Sequence, residues 1–315
     1  MNMLIPELVE KPTVGRVSLA NEGAFAASFM SQPLTDYAVG WKSQDGALEN
    51  LLEFLAPGVQ VARRFEYRRA NNGDDFAIVE NVERPLYGDF QTVKSMGDIV
   101  NAKTVNKGLT TVIEKDAELP GERERKVAWL KKLLIRADIK AAYGLLNTAA
   151  TNTAKTWNAS ATPDADVADK ITAFGDSVGI DANRVVYGMT AWAKRRGAFS
   201  GKQTADAMAN YGFTPDQLGA WLAADVLVSK ERYTSGTGKA ALATANQVLV
   251  FAGETGANIE DPSSVKRFWT PEEGGGEWLV FVDDQTSPKL VKITVCHTDV
   301  LASTISTGVQ KLTIS

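Results

Sequence analysis

Few residues in this chain could do chemistry, and their spacing argues against most of it. Ser235-Gly236-Thr237-Gly238-Lys239-Ala240 has the composition of a phosphate-binding loop. Such a loop needs GxxxxGK followed by Ser or Thr, so that backbone amides cradle phosphates and a hydroxyl holds magnesium. Here Tyr233 stands five residues before Gly238, and Ala240 supplies no hydroxyl. As a dinucleotide fingerprint, Gly236-Thr237-Gly238 followed by Ala241 is a single weak match, and a surface turn is the better reading. Cys296 and His297 are the only cysteine and histidine. Adjacent on a strand, they face opposite ways and cannot form a nucleophile–base pair. One of each also excludes a Cys/His zinc site. The expectation is a buried Cys296 and a surface or half-buried His297. Asp283-Asp284 and Glu272-Glu273 pair carboxylates, but beside turn residues, where solvated acids are common. No catalytic, cofactor-binding or metal-binding residue is assigned.

The distinctive chemistry is instead a cluster of arginines. In VQVARRFEYRRANNGDDFAIVENVERPLYGDF, residues 59–90, Arg63, Arg64, Arg68 and Arg69 load one strand. The turn-forming Asn71-Asn72-Gly73-Asp74 then leads to a return through Phe76, Ile78 and the Val79/Val82 region, which reads as a long β-hairpin. Arg64 and Arg68 share a face with Ala62, whereas Arg63 and Arg69 share the other with Phe65 and Tyr67. Neither face is apolar throughout, so the expectation is a hairpin that projects over a neighbour. Basic residues interleaved with aromatics also suit nucleic acid. The compensating Glu66, Asp74, Asp75, Glu80 and Glu83 favour pairing with protein.

Composition narrows the class. The 315 residues suffice for a large core, with 44% hydrophobic and 23% charged residues and a formal charge of −4. That charge is too small to imply an oppositely charged partner. A single cysteine allows no intramolecular disulfide and suits a reducing compartment. The N-terminus lacks the pattern of a signal peptide, and no run approaches the roughly 20 apolar residues of a membrane span. No internal repeat or flexible linker is evident.

The elements that must position these residues are organised around LPGERERKVAWLKKLLIRADIKAAYGLLNTAA, residues 119–150. Pro120, Glu122 and Glu124 suit a helix start. Val127, Leu130, Leu134, Ala137, Ala141 and Leu145 predict one apolar stripe, with Arg123, Lys126, Lys131, Arg136 and Lys140 off it. At ~1.5 Å per residue, about 28 helical residues would run ~40 Å and serve as a spine for sheets. Before it, residues 1–44 carry Phe25, Phe29, Tyr37 and Trp41 without a sustained period, as an arm that orders against another surface would. Residues 45–56 read as a short amphipathic helix stopped by Pro57-Gly58. In residues 91–117, Lys107, Leu109, Thr111 and Ile113 alternate as a strand.

After the spine, TNTAKTWNASATPDAD reads as a loop. Helices are then predicted at 164–178, at MTAWAKRRGAF and at TPDQLGAWLAA, the last with Thr214 as N-cap and Pro215 at N1. Between and after them, NRVVYG, DVLVSKERY and NQVLVFAG read as strands, which makes an α/β lobe. EWLVFVDD, a turn at TSPK, LVKITVCHTDVLAS and TGVQKLTIS return to β structure.

This order of parts resembles the major capsid proteins of tailed double-stranded-DNA bacteriophages, with the Hong Kong 97-type fold. The best local match is Gly179 to Trp192, GIDANRVVYGMTAW, which looks like the family's helix–"xPNxvvmgxxvwxxL"–helix passage. Ala182 stands where Pro is usual, and Lys194-Arg195 replaces the apolar continuation. The resemblance implies an α+β fold with an N-terminal arm at 1–57 and a projecting hairpin, the E-loop, at 58–90. A peripheral domain with the spine helix would take 91–160 and 291–315, and an α/β axial domain 161–290.

The same resemblance implies a structural protein, not an enzyme, that forms hexamers and pentamers of an icosahedral head around double-stranded DNA held without sequence specificity. It further implies no cofactor and no membrane partner, a portal, decoration proteins in some relatives, and a place in the virion after synthesis in the host bacterial cytoplasm. With no room for a scaffolding segment before the hairpin and with Met1 in place, a separate scaffolding protein is expected. Some relatives join subunits through a hairpin lysine; residues 59–90 contain none, so no such weld is expected there. Arg63, Arg64, Arg68, Arg69, Phe25, Phe29 and Trp41 are the expected inter-subunit contacts. Two alternatives stand beside this reading: an encapsulin-like compartment shell of the same fold, and an α/β nucleotide-binding enzyme using residues 225–256.

Overall fold

A computed structural model describes residues 29–69, 99–202, 210–254, 262–272, 276–305 and 308–315, with isolated positions 78, 83, 92 and 259. The helices in chain order are α1 (Gln32–Gly40), α2 (Ala47–Leu55), α3 (Glu122–Ala149), α4 (Pro163–Val178), α5 (Met189–Ser200) and α6 (Pro215–Leu222). The first strands are β1 (Gly58–Gln60), β2 (Arg64–Arg68), β3 (Ile99–Lys103), β4 (Val105–Glu114) and β5 (Thr151–Lys155). Then come β6 (Arg184–Gly188), β7 (Asp225–Ser229), β8 (Arg232–Ser235), β9 (Gly238–Ala241) and β10 (Gln247–Phe251). The last are β11 (Val265–Thr270), β12 (Trp278–Gln285), β13 (Leu290–Ser303) and β14 (Gln310–Ile314).

Two five-stranded sheets share the spine. The first runs β1-β11-β13-β12, with β4 also paired to β13. The 14-residue β13 is its backbone, antiparallel to β12, β4 and β11. Alternate residues Val291, Ile293 and Val295 face α3 and join Val127, Leu130, Leu134, Ile135, Ile139 and Leu146 in one core. The second sheet runs β5-β14-β10-β6-β7. Its central strands, RVVYG and QVLVF, are apolar on both faces because both are covered. Val186, Leu249 and Phe251 join the core of the spine. Val185, Tyr187, Val248 and Val250 pack with Val167 and Phe174 of α4 and Leu218 of α6.

The spine is 28 residues long, as its pattern requires, but its stripe turns along the helix. Val127, Leu130 and Leu134 are buried, whereas Ala137 and Ala141 are exposed and Leu145 is half-buried. Asp138, Ile139, Ala142 and Leu146 take the inward positions instead. Lys131, expected on the wet surface, is also buried. Its Nζ donates to the carbonyls of Ala38 (2.6 Å) and Trp41 (2.8 Å) at the C-terminal end of α1. A cation there satisfies carbonyls that the helix leaves unpaired.

That contact corrects the reading of residues 1–44 as one aperiodic arm. Residues 32–40 form α1, with Pro33 in its first turn and Leu34, Thr35 and Ala38 packed inward on the body of the chain itself. Residues 1–28, including Phe25, lie outside the described residues. A second correction concerns Thr151–Lys155, expected as loop, which is a strand parallel to β14. Backbone pairing holds this polar stretch, so it carries no apolar signal. Elsewhere the signals hold: Thr214 and Gln217 form a reciprocal capping box at α6, and Gly179, at φ +80°, closes α4 in the left-handed conformation that glycine adopts freely.

The expected partition at 290/291 does not follow the sheets. β11 and β12, placed in segment 161–290, lie in the first sheet, and β14, placed with 291–315, lies in the second.

Candidate functional site

The strand carrying the arginines is β2, and among the described residues its partner is β3. The register is antiparallel, with Arg64 opposite Lys103, Phe65 opposite Ala102, Glu66 opposite Asn101, Tyr67 opposite Val100 and Arg68 opposite Ile99. Of the intervening segment, residues 70–77, 79–82, 84–91 and 93–98 lie outside the described residues, and with them the expected turn at Asn71–Asp74 and its return strand.

One face of this ribbon does find a home on its own subunit. Phe65 and Tyr67 pack on Phe268 of β11, with ring centroids 4.6 and 5.3 Å away, and Val59 and Val61 complete the cluster. The expectation that neither face could dock on the body is therefore wrong at the ribbon's base. Tyr67 is buried enough that its hydroxyl pKa is pushed up, with Arg69 pulling the other way.

The opposite face remains in solvent. Arg64, Glu66 and Arg68 are exposed, as are Ile99, Asn101 and Lys103. Arg64 and Lys103 are like charges directly across the ladder, an arrangement that costs stability unless something negative meets it. Among the described residues neither Arg64 nor Arg68 has an ion-pair partner. Arg63 is exposed and Arg69 half-buried. Phe29 is 41% exposed, and its carbonyl accepts from Val282 N–H at 2.8 Å, which ties the arm to the edge of β12. Trp41 is half-buried, with the Lys131 ammonium 5.7 Å from its ring.

A second group escaped sequence reasoning. His297, expected at or near the surface, is fully buried beside Asp299 of the same strand, Asp138 of α3 and Lys107 of β4. Lys107 Nζ lies 2.7 Å from Asp138 Oδ1 and 2.6 Å from Asp299 Oδ1. His297 Nε2 lies 3.1 Å from Asp138 Oδ2 and 3.4 Å from Asp299 Oδ2. Burial alone would push the imidazole pKa down. The two carboxylates close to Nε2 outweigh it and push the pKa up to about 9. Burial likewise raises Asp299, but His297 and Lys107 hold it below the usual carboxylate value.

Two cations and two anions thus close the junction of spine and sheet. Ligand atoms of Asp138, His297 and Asp299 lie within 4.8 Å of one another, a separation a divalent ion could use. Lys107 already bridges the carboxylate edge and balances the charge, so a salt-bridge cluster fits better than a metal. The signal was present in the sequence: Val291, Ile293, Val295, His297 and Asp299 continue one inward-facing register.

Gly236-Thr237 turns the β8–β9 hairpin, with Ser235 opposite Gly238, and no helix follows to face a phosphate. Cys296 is buried, and burial pushes its thiol up to about 12. Asp284 pairs with Lys115 and lies 3.7 Å from Arg123. Arg195, which departs from the apolar pattern after Trp192, is a core residue. It makes two bonds to Asp164, of 2.6 and 2.8 Å, beneath the rings of Trp192 and Phe199.

No protein-family model matches this sequence, and no curated protein matches it. Solved structures do. A phage-related protein from Bordetella bronchiseptica RB50 superposes with a TM-score of 0.66 at 16% identity, covering 90% of this chain and 97% of that one. The capsid of a native GTA particle superposes with a TM-score of 0.53 at 12% identity, covering 88% and 92%. The superpositions span about nine-tenths of the chain, so the spine helix and the two sheets that share it follow a known architecture. The chain has the Hong Kong 97-type capsid fold, an α+β fold.

Proposed function

We propose that this chain is the major capsid protein of a tailed double-stranded-DNA phage, a structural subunit that assembles into hexamers and pentamers of an icosahedral head. The observation that carries the reading is the ribbon. It sits on a capsid-type fold, is anchored by Phe65 and Tyr67, and turns Arg64, Arg68 and Lys103 outward with no carboxylate partner for either arginine among the described residues. A neighbouring copy supplies such partners on every side of a shell. Arg forks pair well with carboxylates. Exposed pairs are worth under ~1 kcal/mol each, but a shell repeats each contact many times.

In this account a separate scaffolding protein, a portal and packaged DNA complete the particle, and Phe25, Phe29, Arg63 and Arg69 add subunit contacts. The test is expression of the full chain, followed by sedimentation and negative-stain electron microscopy. Large hollow particles are expected. A stable monomer that turns over nucleotide would favour the enzyme alternative, and particles filled with a cargo protein would favour the compartment shell.

A further inference from the structure

A groove of about 480 Å³ separates the outer face of α3 from the β8–β9 hairpin. Arg136 and Lys140 line it from the spine and Arg232 and Lys239 from the hairpin, together with Tyr233 and Thr234. Among the described residues no carboxylate lines it. Lys140 Nζ sits 4.6 Å from the Tyr233 ring centroid, and Lys239 Nζ donates to Thr234 Oγ1 at 2.6 Å. None of the four cations is in an ion pair among the described residues. The Arg136 Nε is shut away from solvent, with no hydrogen-bond partner among the described residues.

The groove continues a longer pattern. From Arg125 to Ala149 the spine has one acidic residue, Asp138, and that one points inward to Lys107 and His297. On the outer side, Lys132, Arg136 and Lys140 follow at four-residue steps, about 6 Å apart along the axis. Like charges at that spacing weaken a helix by a few tenths of a kcal/mol per pair. A chain with a net charge of −4 has therefore concentrated unpaired cations on one face of its longest element.

We propose that this groove holds the phosphodiester backbone of double-stranded DNA, without reading its sequence. A basic stripe along a helix is the electrostatic footprint of such binding. The repeating row of cations matches a uniformly charged polymer better than scattered carboxylates, and the two Arg forks match phosphate oxygens. The ribbon differs in this respect, because Glu66 stands between Arg64 and Arg68 as suits a protein partner. This inference rests on the shell reading, in which DNA is the enclosed polyanion, and deepens it by naming the residues that meet the DNA; it is measured separately from assembly.

The experiment titrates the purified full chain into a fluorescein-labelled duplex of about 30 base pairs and follows anisotropy between about 50 and 200 mM NaCl. Sedimentation of the same samples reports assembly, and circular dichroism reports folding. Four phosphate contacts predict a slope of log affinity against log salt of about −3.6, which is about a 150-fold loss across that range. R136Q/R232Q and K140Q/K239Q each remove half the set, so each slope should fall to about −1.8, about a 12-fold loss. K289Q, an exposed lysine paired with Asp116, should match the parent. Absence of duplex binding at about 50 mM salt, or parental slopes in both double variants, overturns the proposal. So do variants that bind DNA normally but no longer form particles, since the groove would then meet carboxylates of a second copy. A parental slope of about −3.6 that both doubles halve, in a chain that never assembles, would uphold this inference and refute the shell reading.

Discussion

The buried charge cluster makes the stability of the subunit depend on pH in a direction that can be worked out. His297 is faced by Asp138 from α3, Asp299 from β13 and Lys107 from β4, with the Trp278 ring of β12 at 4.4 Å. Arg267 of β11, itself paired with Glu277, adds positive charge nearby. The imidazole pKa rises from 6.5 to about 9 on folding. Below about pH 6.5 it is protonated in both states, and the cluster contributes fully. Between 6.5 and about 9 the folded chain holds a proton that the unfolded chain releases, so stability declines as pH rises. Above about 9 the contribution is gone. Asp299 has the opposite sign: held below 3.8, it contributes above that value and fails as pH falls. The cluster therefore stabilises most between about pH 4 and 6.5.

The imidazole shift corresponds to ~3 kcal/mol, a sizeable part of the ~5–15 kcal/mol that stabilises a typical domain. Lys107 is pushed above its usual value and does not titrate in this window. The Cys296 thiol is held at about 12 in the folded chain but releases its proton near its ordinary 9.0 in the unfolded one, so it adds about 1 kcal/mol to the loss at pH 9.5 in parent and variant alike. The assay is urea unfolding of the unassembled subunit at about pH 6 and pH 9.5, for the parent and for H297Q. The parent should lose ~3 kcal/mol more than H297Q across the interval. Equal losses in both would refute the assignment of this pH dependence to His297.

Other expectations follow from the same contacts. Arg195→Met leaves the buried Asp164 carboxylate unpaired and should cost ~3–5 kcal/mol in chemical denaturation, with the α/β lobe unfolding first by hydrogen exchange; a loss below ~1 kcal/mol would mean the pair is dispensable. Leu134→Ala should cost ~2–5 kcal/mol. Ala137→Leu, on the exposed side, should stay within ~0.5 kcal/mol; equal effects of the two would misplace the inward face of the spine. R64E/R68E should leave the circular dichroism spectrum of the subunit unchanged while particle yield in sedimentation falls sharply; normal particles would make these arginines surface decoration.

Much of this architecture is written locally. The capping box at Thr214, the apolar run RVVYG and the length of the spine each predict the element that forms, because backbone and side-chain preferences agree there. What escaped was set by partners distant in sequence. β2 pairs with β3, which begins about twenty-five residues beyond the Asn71–Asp74 turn signal, and no local pattern specifies a pairing that far away. Thr151–Lys155 is polar and exists as a strand because β14 lies beside it. α1 buries only Leu34, Thr35 and Ala38, too short a pattern to stand out from an aperiodic stretch. The spine's stripe drifted in the reading because Ala137 and Ala141 are apolar by type, while Asp138 and Lys131 are charged by type yet buried. Periodicity places them inward, and only their partners, Lys107 with His297 and the carbonyls of Ala38 and Trp41, make that burial affordable. The candidate site divides the same way. The arginines were legible from composition, whereas their anchoring through Phe65 and Tyr67 on Phe268 required the fold.

The claim on which the rest depends is that copies of this chain close into a shell. Sedimentation velocity of the purified chain, with negative-stain images of each fraction, tests it most directly. The account predicts a fast-sedimenting species made of hollow, closed particles of uniform size, in equilibrium with small oligomers of folded subunits. A folded chain that remains monomeric across a wide range of concentration and salt, with and without a co-expressed scaffolding partner, would contradict it.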